Sequence, residues 1–174
     1  MKTLFIILSI VFCTNLYAQN VIYVGTKSYE STKTFAFLKK GEYHGYSNFD
    51  TTCDLTFAKS AQGGILMISA YSEGYFDERI VGTILIYLKN GEVLTLVKRL
   101  HSDSADKSTS SIYSLSNIQV NKLLQINIAS LRYSIQGTYG KKSFTCENRF
   151  NNSYQPNVYD EGIFDIPKAL AELF

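Results

Sequence analysis

The sequence predicts an α+β fold: a predominantly antiparallel β-sheet with two short helices. Three observations carry that reading. Short segments in which apolar and polar residues alternate with period two recur through most of the chain. Asn90-Gly91 separates two apolar, β-branched runs, a strong local hairpin signal. Only two stretches, after Ser116 and around Pro167, place their apolar residues at helical spacing. The same pattern allows an all-β sandwich or an eight-stranded barrel with a C-terminal helix.

The chain begins with Lys2, a short apolar run from Leu4 to Phe12, and then Asn15-Leu16-Tyr17-Ala18 before Gln19. This is the three-part layout of a secretory signal peptide, and the run is too short to span a bilayer. Residues 1–18 are therefore read as a signal cleaved after Ala18, and 19–174 as a single β-rich domain, periplasmic or secreted. A lipoprotein reading would acylate Cys13, but the bulky Phe12 before it argues against this. No later run is apolar enough for a transmembrane segment.

After the signal, Asn20–Val24 reads as a first strand ended by Gly25, and Thr32–Leu38 as a second. Glu42–Asp50 is a polar, aromatic loop. In Thr51–Ala58, Cys53, Leu55 and Phe57 share one face, with Thr52, Asp54 and Thr56 opposite. A loop through Gly63-Gly64 leads to a strand at Ile65–Tyr71, and Ser72–Glu78 forms a second polar connection. Then comes the hairpin. A two-residue type I′ turn at Asn90-Gly91 pairs Leu88 with Val93, Ile86 with Thr95 and Ile84 with Val97. Those six would line one face, and Leu85, Tyr87, Leu94 and Leu96 the other.

His101–Ser110 is small and polar and reads as an exposed loop, with a strand resuming at Ser111–Leu115. Ser116 is the N-cap of a helix from Asn117 to about Leu124, with Val120, Leu123 and Leu124 as its stripe. Ile128–Ile135 buries Leu131, Tyr133 and Ile135 and exposes Arg132, Ser134 and Gln136. Lys141–Glu147 is the last strand, Arg149–Gly162 is irregular, and Pro167 opens a helix whose apolar side is Ala169, Leu170, Leu173 and Phe174.

A 45% hydrophobic content with mixed charge indicates a folded chain. The net charge of +2 lacks the basic excess of a nucleic-acid binder. Once Cys13 leaves with the signal, Cys53 and Cys146 form an even pair in an oxidising compartment and read as one structural disulfide. That bridge would close a loop of about 90 residues. Without CxxC spacing or a nearby His, no metal site and no cofactor is expected.

Chemistry is sparse. Both histidines, His44 and His101, fall in expected loops. His101 with Ser102, Asp103 and Ser104 lacks the separation of a triad, and no GxSxG elbow occurs. Glu73, Asp77 and Glu78 surround Tyr75-Phe76, the raw material of a glycosidase pair, but nothing in the sequence brings two acids together. The feature above background is tyrosine, 13 in all with no Trp. Tyr43 and Tyr46, Tyr71 and Tyr75, and Tyr154 and Tyr159 cluster in connections, where a rigid ring with a polar tip suits a binding surface. The sequence thus points to an exported, non-enzymatic domain that binds a protein or glycan partner through tyrosine-containing loops. A carrier with an apolar cavity and a hydrolase using Glu73, Asp77 and a histidine are the other readings.

Overall fold

The structure, a computed structural model, describes residues 20–40, 52–71, 78–105, 107–138, 140–151 and 161–174. The signal segment lies outside these residues. In chain order the strands are β1 (Asn20–Val24), β2 (Lys27–Ser31), β3 (Phe35–Lys39), β4 (Thr52–Ser60), β5 (Gly63–Tyr71), β6 (Arg79–Leu88), β7 (Val93–Leu96), β8 (Arg99–Ala105) and β9 (Ser108–Ser116). Helix α1 (Asn117–Gln125) follows, then β10 (Ile128–Gly137), β11 (Gly140–Glu147), β12 (Phe150–Asn151), β13 (Glu161–Gly162) and helix α2 (Ile166–Leu173). The fold is mostly antiparallel sheet with two short helices, as expected.

Nine strands form one sheet in the order β7-β6-β10-β11-β3-β4-β5-β9-β8, and the β1–β2 hairpin joins it through β4. The sheet curls but does not close into the barrel that the alternating pattern allowed. Its two ends meet through side chains rather than a continuous ladder. On β9 the Tyr113 hydroxyl donates to the Gly82 carbonyl at 3.0 Å and the Ser111 hydroxyl to the Ile80 carbonyl at 3.2 Å. The Thr109 hydroxyl accepts from Ile80 N–H, and Arg99 of β8 also donates to the Ile80 carbonyl. These bonds satisfy a stretch of β6 disrupted by a bulge. Leu85 pairs with Arg132 and Val81 with Ser134, leaving three β6 residues opposite Tyr133, with Gly82 at φ +74°.

Inside the curl, Phe35, Phe37, Leu55, Phe57, Leu66, Ile68, Ile84, Ile86, Tyr113, Leu131 and Tyr133 are almost fully buried. Each fully buried apolar side chain stabilises the fold by roughly 1.5–3 kcal/mol relative to exposure. One end of the curl is plugged by the helices. Ser116 caps α1, its hydroxyl accepting from Gln119 N–H while the Gln119 side chain accepts from Ser116 N–H, a capping box. Asp165 caps α2, with Pro167 in the first turn. Val120, Leu123, Ile166 and Leu170 point into the core. Gly63 and Gly64 belong to β5 and not to a loop. A Cβ on Gly63 would lie 2.3 Å from the Leu115 carbonyl, and one on Gly64 would lie 2.9 Å from Val120 Cγ2. Bare backbone there lets α1 sit against the sheet.

The β6–β7 hairpin forms with a different turn. Gly91 N–H donates to the Leu88 carbonyl and Leu88 N–H to the Glu92 carbonyl. Gly91 has φ +88° while Asn90 is not left-handed. This is a type I turn followed by a left-handed glycine bulge, instead of type I′. The extra residue slides the register by one, pairing Tyr87 with Val93, Ile86 with Leu94 and Ile84 with Leu96. Leu94 and Leu96 therefore join Ile84, Ile86 and Leu88 in the core, and Val93 and Val97 face outward. The slip gathers the large aliphatic residues on one face, which hydrophobic burial favours over the expected split.

Three further expectations change. Lys27–Ser31 is a strand, paired to β1 across a Gly25-Thr26 turn in which Gly25 has φ +62°. The expected loop at His101–Ser110 is the β8–β9 hairpin, whose inward Thr and Ser bond backbone and side chains across the curl. Within Arg149–Gly162, β12 and β13 pair.

Candidate functional site

The outer face of β4, β5, β9 and β8 is ordered in cross-strand rows, because directly opposed residues share a face. Toward the helices two rows, one with Ala58 opposite Ile65 and the next with Met67 opposite Ile112, are covered by Ile22 of the β1–β2 hairpin, with Val24 and Tyr29 packed around them. The next row toward the other end of the sheet is polar. Asp54 lies opposite Ser69, Ser69 opposite Ser110 and Ser110 opposite Asp103. Beyond it, Tyr71 faces Ser108 at the ends of their strands, and Thr52 begins β4. The hairpin stops short of these two rows.

There a pocket of about 250 Å³ opens, lined by Thr52, Asp54, Ser69, Ala70, Tyr71, Lys107 and Ser108. The Ser69 and Ser110 hydroxyls are hydrogen-bonded to each other at 2.7 Å. Asp54 is half-buried, and desolvation holds its carboxyl above the usual carboxylate range. Among the described residues its carboxylate makes no hydrogen bond or ion pair. Lys107, at φ +64° in the β8–β9 turn, brings the opposite charge to the rim. Left-handed backbone at a residue with a Cβ is strained, and it places this lysine beside the pocket.

Of the six tyrosines singled out from the sequence, Tyr71 lines this pocket. Tyr43, Tyr46, Tyr75, Tyr154 and Tyr159 lie outside the described residues, as do His44, Glu73 and Asp77. The connection carrying Tyr43 and Tyr46 enters the sheet at Thr52, and the one carrying Tyr75 leaves it at Tyr71. Both therefore meet the sheet at the pocket. The connection carrying Tyr154 and Tyr159 joins β12 to β13, where Phe150 packs on Phe164 at a centroid distance of 4.5 Å. His101 is an exposed strand residue opposite Ile112. Its neighbours Ser102 and Ser104 point to the other face, so the consecutive His101, Ser102, Asp103 and Ser104 do not converge. Asp54 and Asp103 end the polar row three strand spacings apart, about 14 Å, too far for a glycosidase pair.

The expected disulfide is absent: Cys53 and Cys146 are both free and fully buried. Cys53 pairs with Phe37 and Cys146 with Lys39, so the two flank β3 on strands that are not neighbours. Two strand spacings separate backbones by about 9.5 Å, beyond the roughly 7 Å that a disulfide spans. Their side chains both point inward and meet as thiols. Burial, aided by the contact with Cys146, pushes the Cys53 thiol well up. Tyr133 stacks on Phe144 beside them. Its buried hydroxyl has no oxygen or nitrogen partner among the described residues and faces Cys146, and burial holds it protonated well above the usual phenol range. Alternation along the strands located both cysteines on core faces; strand order, which no local pattern encodes, keeps them apart.

Among the described residues no three His, Cys, Asp or Glu side chains gather to hold a metal ion. No described helix is long and apolar enough to cross a membrane. No protein-family model matches the chain, and no curated protein or solved structure is significantly similar to it.

Proposed function

We propose that this protein is an exported, non-enzymatic binding domain whose partner, a glycan, docks on the open end of the outer face. One observation carries the reading. Beside the part of the outer face that the hairpin covers, the described residues form a pocket lined by an aromatic ring, three hydroxyl side chains and a carboxylate with no partner among them. Sugars are held by that combination: ring faces pack on an aromatic plane while hydroxyls and carboxylates take the sugar's own hydroxyls. A pocket of about 250 Å³ takes a single sugar ring and leaves room for a chain to continue into solvent. The three-part N-terminal layout supports export, with the mature chain beginning at Gln19.

The test is retention of the purified protein on an array of immobilised mono- and oligosaccharides, compared with Tyr71→Ala. The reading predicts retention on a subset of glycans and its loss in the variant. Retention of none, or retention that Tyr71→Ala leaves unchanged, overturns it. Capture of a protein that cross-links at Tyr71 would instead assign the same face to a protein partner. Mass spectrometry of the exported chain tests cleavage after Ala18.

A further inference from the structure

We propose that the pocket selects a glycan carrying a free amine, with the ligand's ammonium group seated on Asp54 between the Ser69 hydroxyl and the ring of Tyr71. The inference rests on the glycan reading of this pocket and adds the charge of the ligand. Asp54 ends the polar row, but on β4, an interior strand of the sheet and not an edge. It faces Ser69 on β5 and Ala36 on β3, so two neighbouring strands strip it of water. A carboxylate that has lost solvent without gaining a partner is the group that gains most from an incoming cation. Sheet neighbours offer it only hydroxyl and methyl groups.

The charges around the pocket support the same assignment. The described groups facing it are Asp54 and Lys107, with Asp103 three strands from Asp54 along the row. Lys107 reaches the rim from the turn and makes no ion pair with Asp54 among the described residues. Among the described residues nothing neutralises Asp54. Lys107 is exposed, so water and salt screen it; Asp54, half withdrawn, is screened less. The net charge of the whole chain is +2, so attraction of a cation to this spot would come from the pocket and not from the overall field. The Ser69–Ser110 pair can turn its hydroxyls toward a ligand, because either oxygen can act as the donor in their shared bond. An amino sugar meets each of these groups: ammonium on Asp54, ring hydroxyls on Ser69, Ser108 and Thr52, and a ring face on Tyr71.

The experiment titrates the exported chain with a β-1,4-linked glucosamine tetramer and with its fully N-acetylated form. Calorimetry and NMR are read at a pH where the amines are charged and Asp54 is ionised. The free-amine tetramer should bind about tenfold more tightly than the acetylated one, the size of one charge-assisted hydrogen bond. Asp54→Asn should erase that preference while leaving binding of the acetylated tetramer in place. Lys107→Ala should leave the preference intact or strengthen it. Equal binding of both tetramers by the wild-type chain overturns the amine assignment and leaves the glycan reading standing. Absence of binding by either tetramer, with no other glycan retained on the array, overturns both. A preference that survives Asp54→Asn removes Asp54 as the anchor. Asp54 bonds to no other described side chain, so Asp54→Asn should fold, which its NMR spectrum verifies.

Discussion

The side chain of Asn148 pairs with the backbone of Phe164 in both directions. Its Oδ1 accepts from Phe164 N–H at 3.0 Å, and its Nδ2 donates to the Phe164 carbonyl at 2.9 Å. The same amide also donates to the Ile128 carbonyl, and Asn148 is 3% exposed. Asn127 completes the knot, donating to Phe164 and accepting from Ile128 and Ile166 N–H. Phe164 is thereby held against Phe35 and Phe37, and α2 starts where the core needs it. Two asparagines at the ends of β10 and β11 substitute for a strand that would otherwise satisfy this backbone.

Asn148→Asp keeps the shape and the accepting oxygen and removes the amide's donations to Phe164, Ile128 and Asn127. It takes that donor from the buried Ile128 carbonyl, sets a carboxylate against the Phe164 carbonyl and Asn127 Oδ1, and should destabilise the fold by about 2–3 kcal/mol. Urea unfolding followed by circular dichroism measures this. A change within experimental error would mean that the knot is not what docks α2.

The two glycines of contrasting surroundings separate space from backbone strain. Gly91 has φ +88° with nothing near its missing Cβ, so Gly91→Ala should cost about 1 kcal/mol from the left-handed conformation alone. Gly63 has φ +135° and a backbone carbonyl 2.3 Å from where a Cβ would be. Gly63→Ala should cost at least about 3 kcal/mol, since α1 and β9 must move as well. Similar costs for the two variants in one unfolding series would contradict the close approach.

The thiols make a chemical prediction. With Cys53 and Cys146 both buried and the Cys53 thiol pushed up, neither should react with iodoacetamide in the native protein. Both should be alkylated in denaturant without reductant. Peptide mass spectrometry reads each site separately, and a peptide pair linked through Cys53 and Cys146 would show that the strands move closer than this structure places them.

Asp54 links the site to pH. Its folded-state carboxyl holds its proton to higher pH than an unfolded one, because burial disfavours the charge. The folded state therefore binds more protons in that interval, and stability falls as pH rises through it. Asp54→Asn should raise the melting temperature near neutral pH and have little effect below the unfolded carboxylate range, near pH 3. A destabilised Asp54→Asn protein at neutral pH would mean that Asp54 has a partner in the fold.

Much of the local structure was legible in the chain. Alternation placed Cys53, Leu55 and Phe57 inward with Asp54 opposite, and it placed Leu131, Tyr133 and Ile135 correctly on β10. The Ser116 cap and Pro167 located both helices, since caps and first-turn prolines act through bonds within a few residues. The β8–β9 hairpin was hidden because its Ser and Thr residues look solvated. They are structural only because the curl brings the β6 backbone to them. The hairpin turn was misread for a similar reason, as type I with a glycine bulge and type I′ both suit Asn-Gly and differ in which face the core prefers.

The sequence by itself determined the strand-rich class, the position of both helices, and the apolar face of strands such as β4 and β10. Those are short-range properties, set by backbone sterics, capping bonds and period-two alternation. Only the tertiary structure decided that β3 separates Cys53 from Cys146. It alone decided that the β1–β2 hairpin covers Ala58, Ile65 and Ile112 and that no described residue covers the row from Asp54 to Ser110 beside Tyr71. Strand order and the reach of a covering hairpin depend on contacts between residues far apart in the chain, and no local pattern carries them.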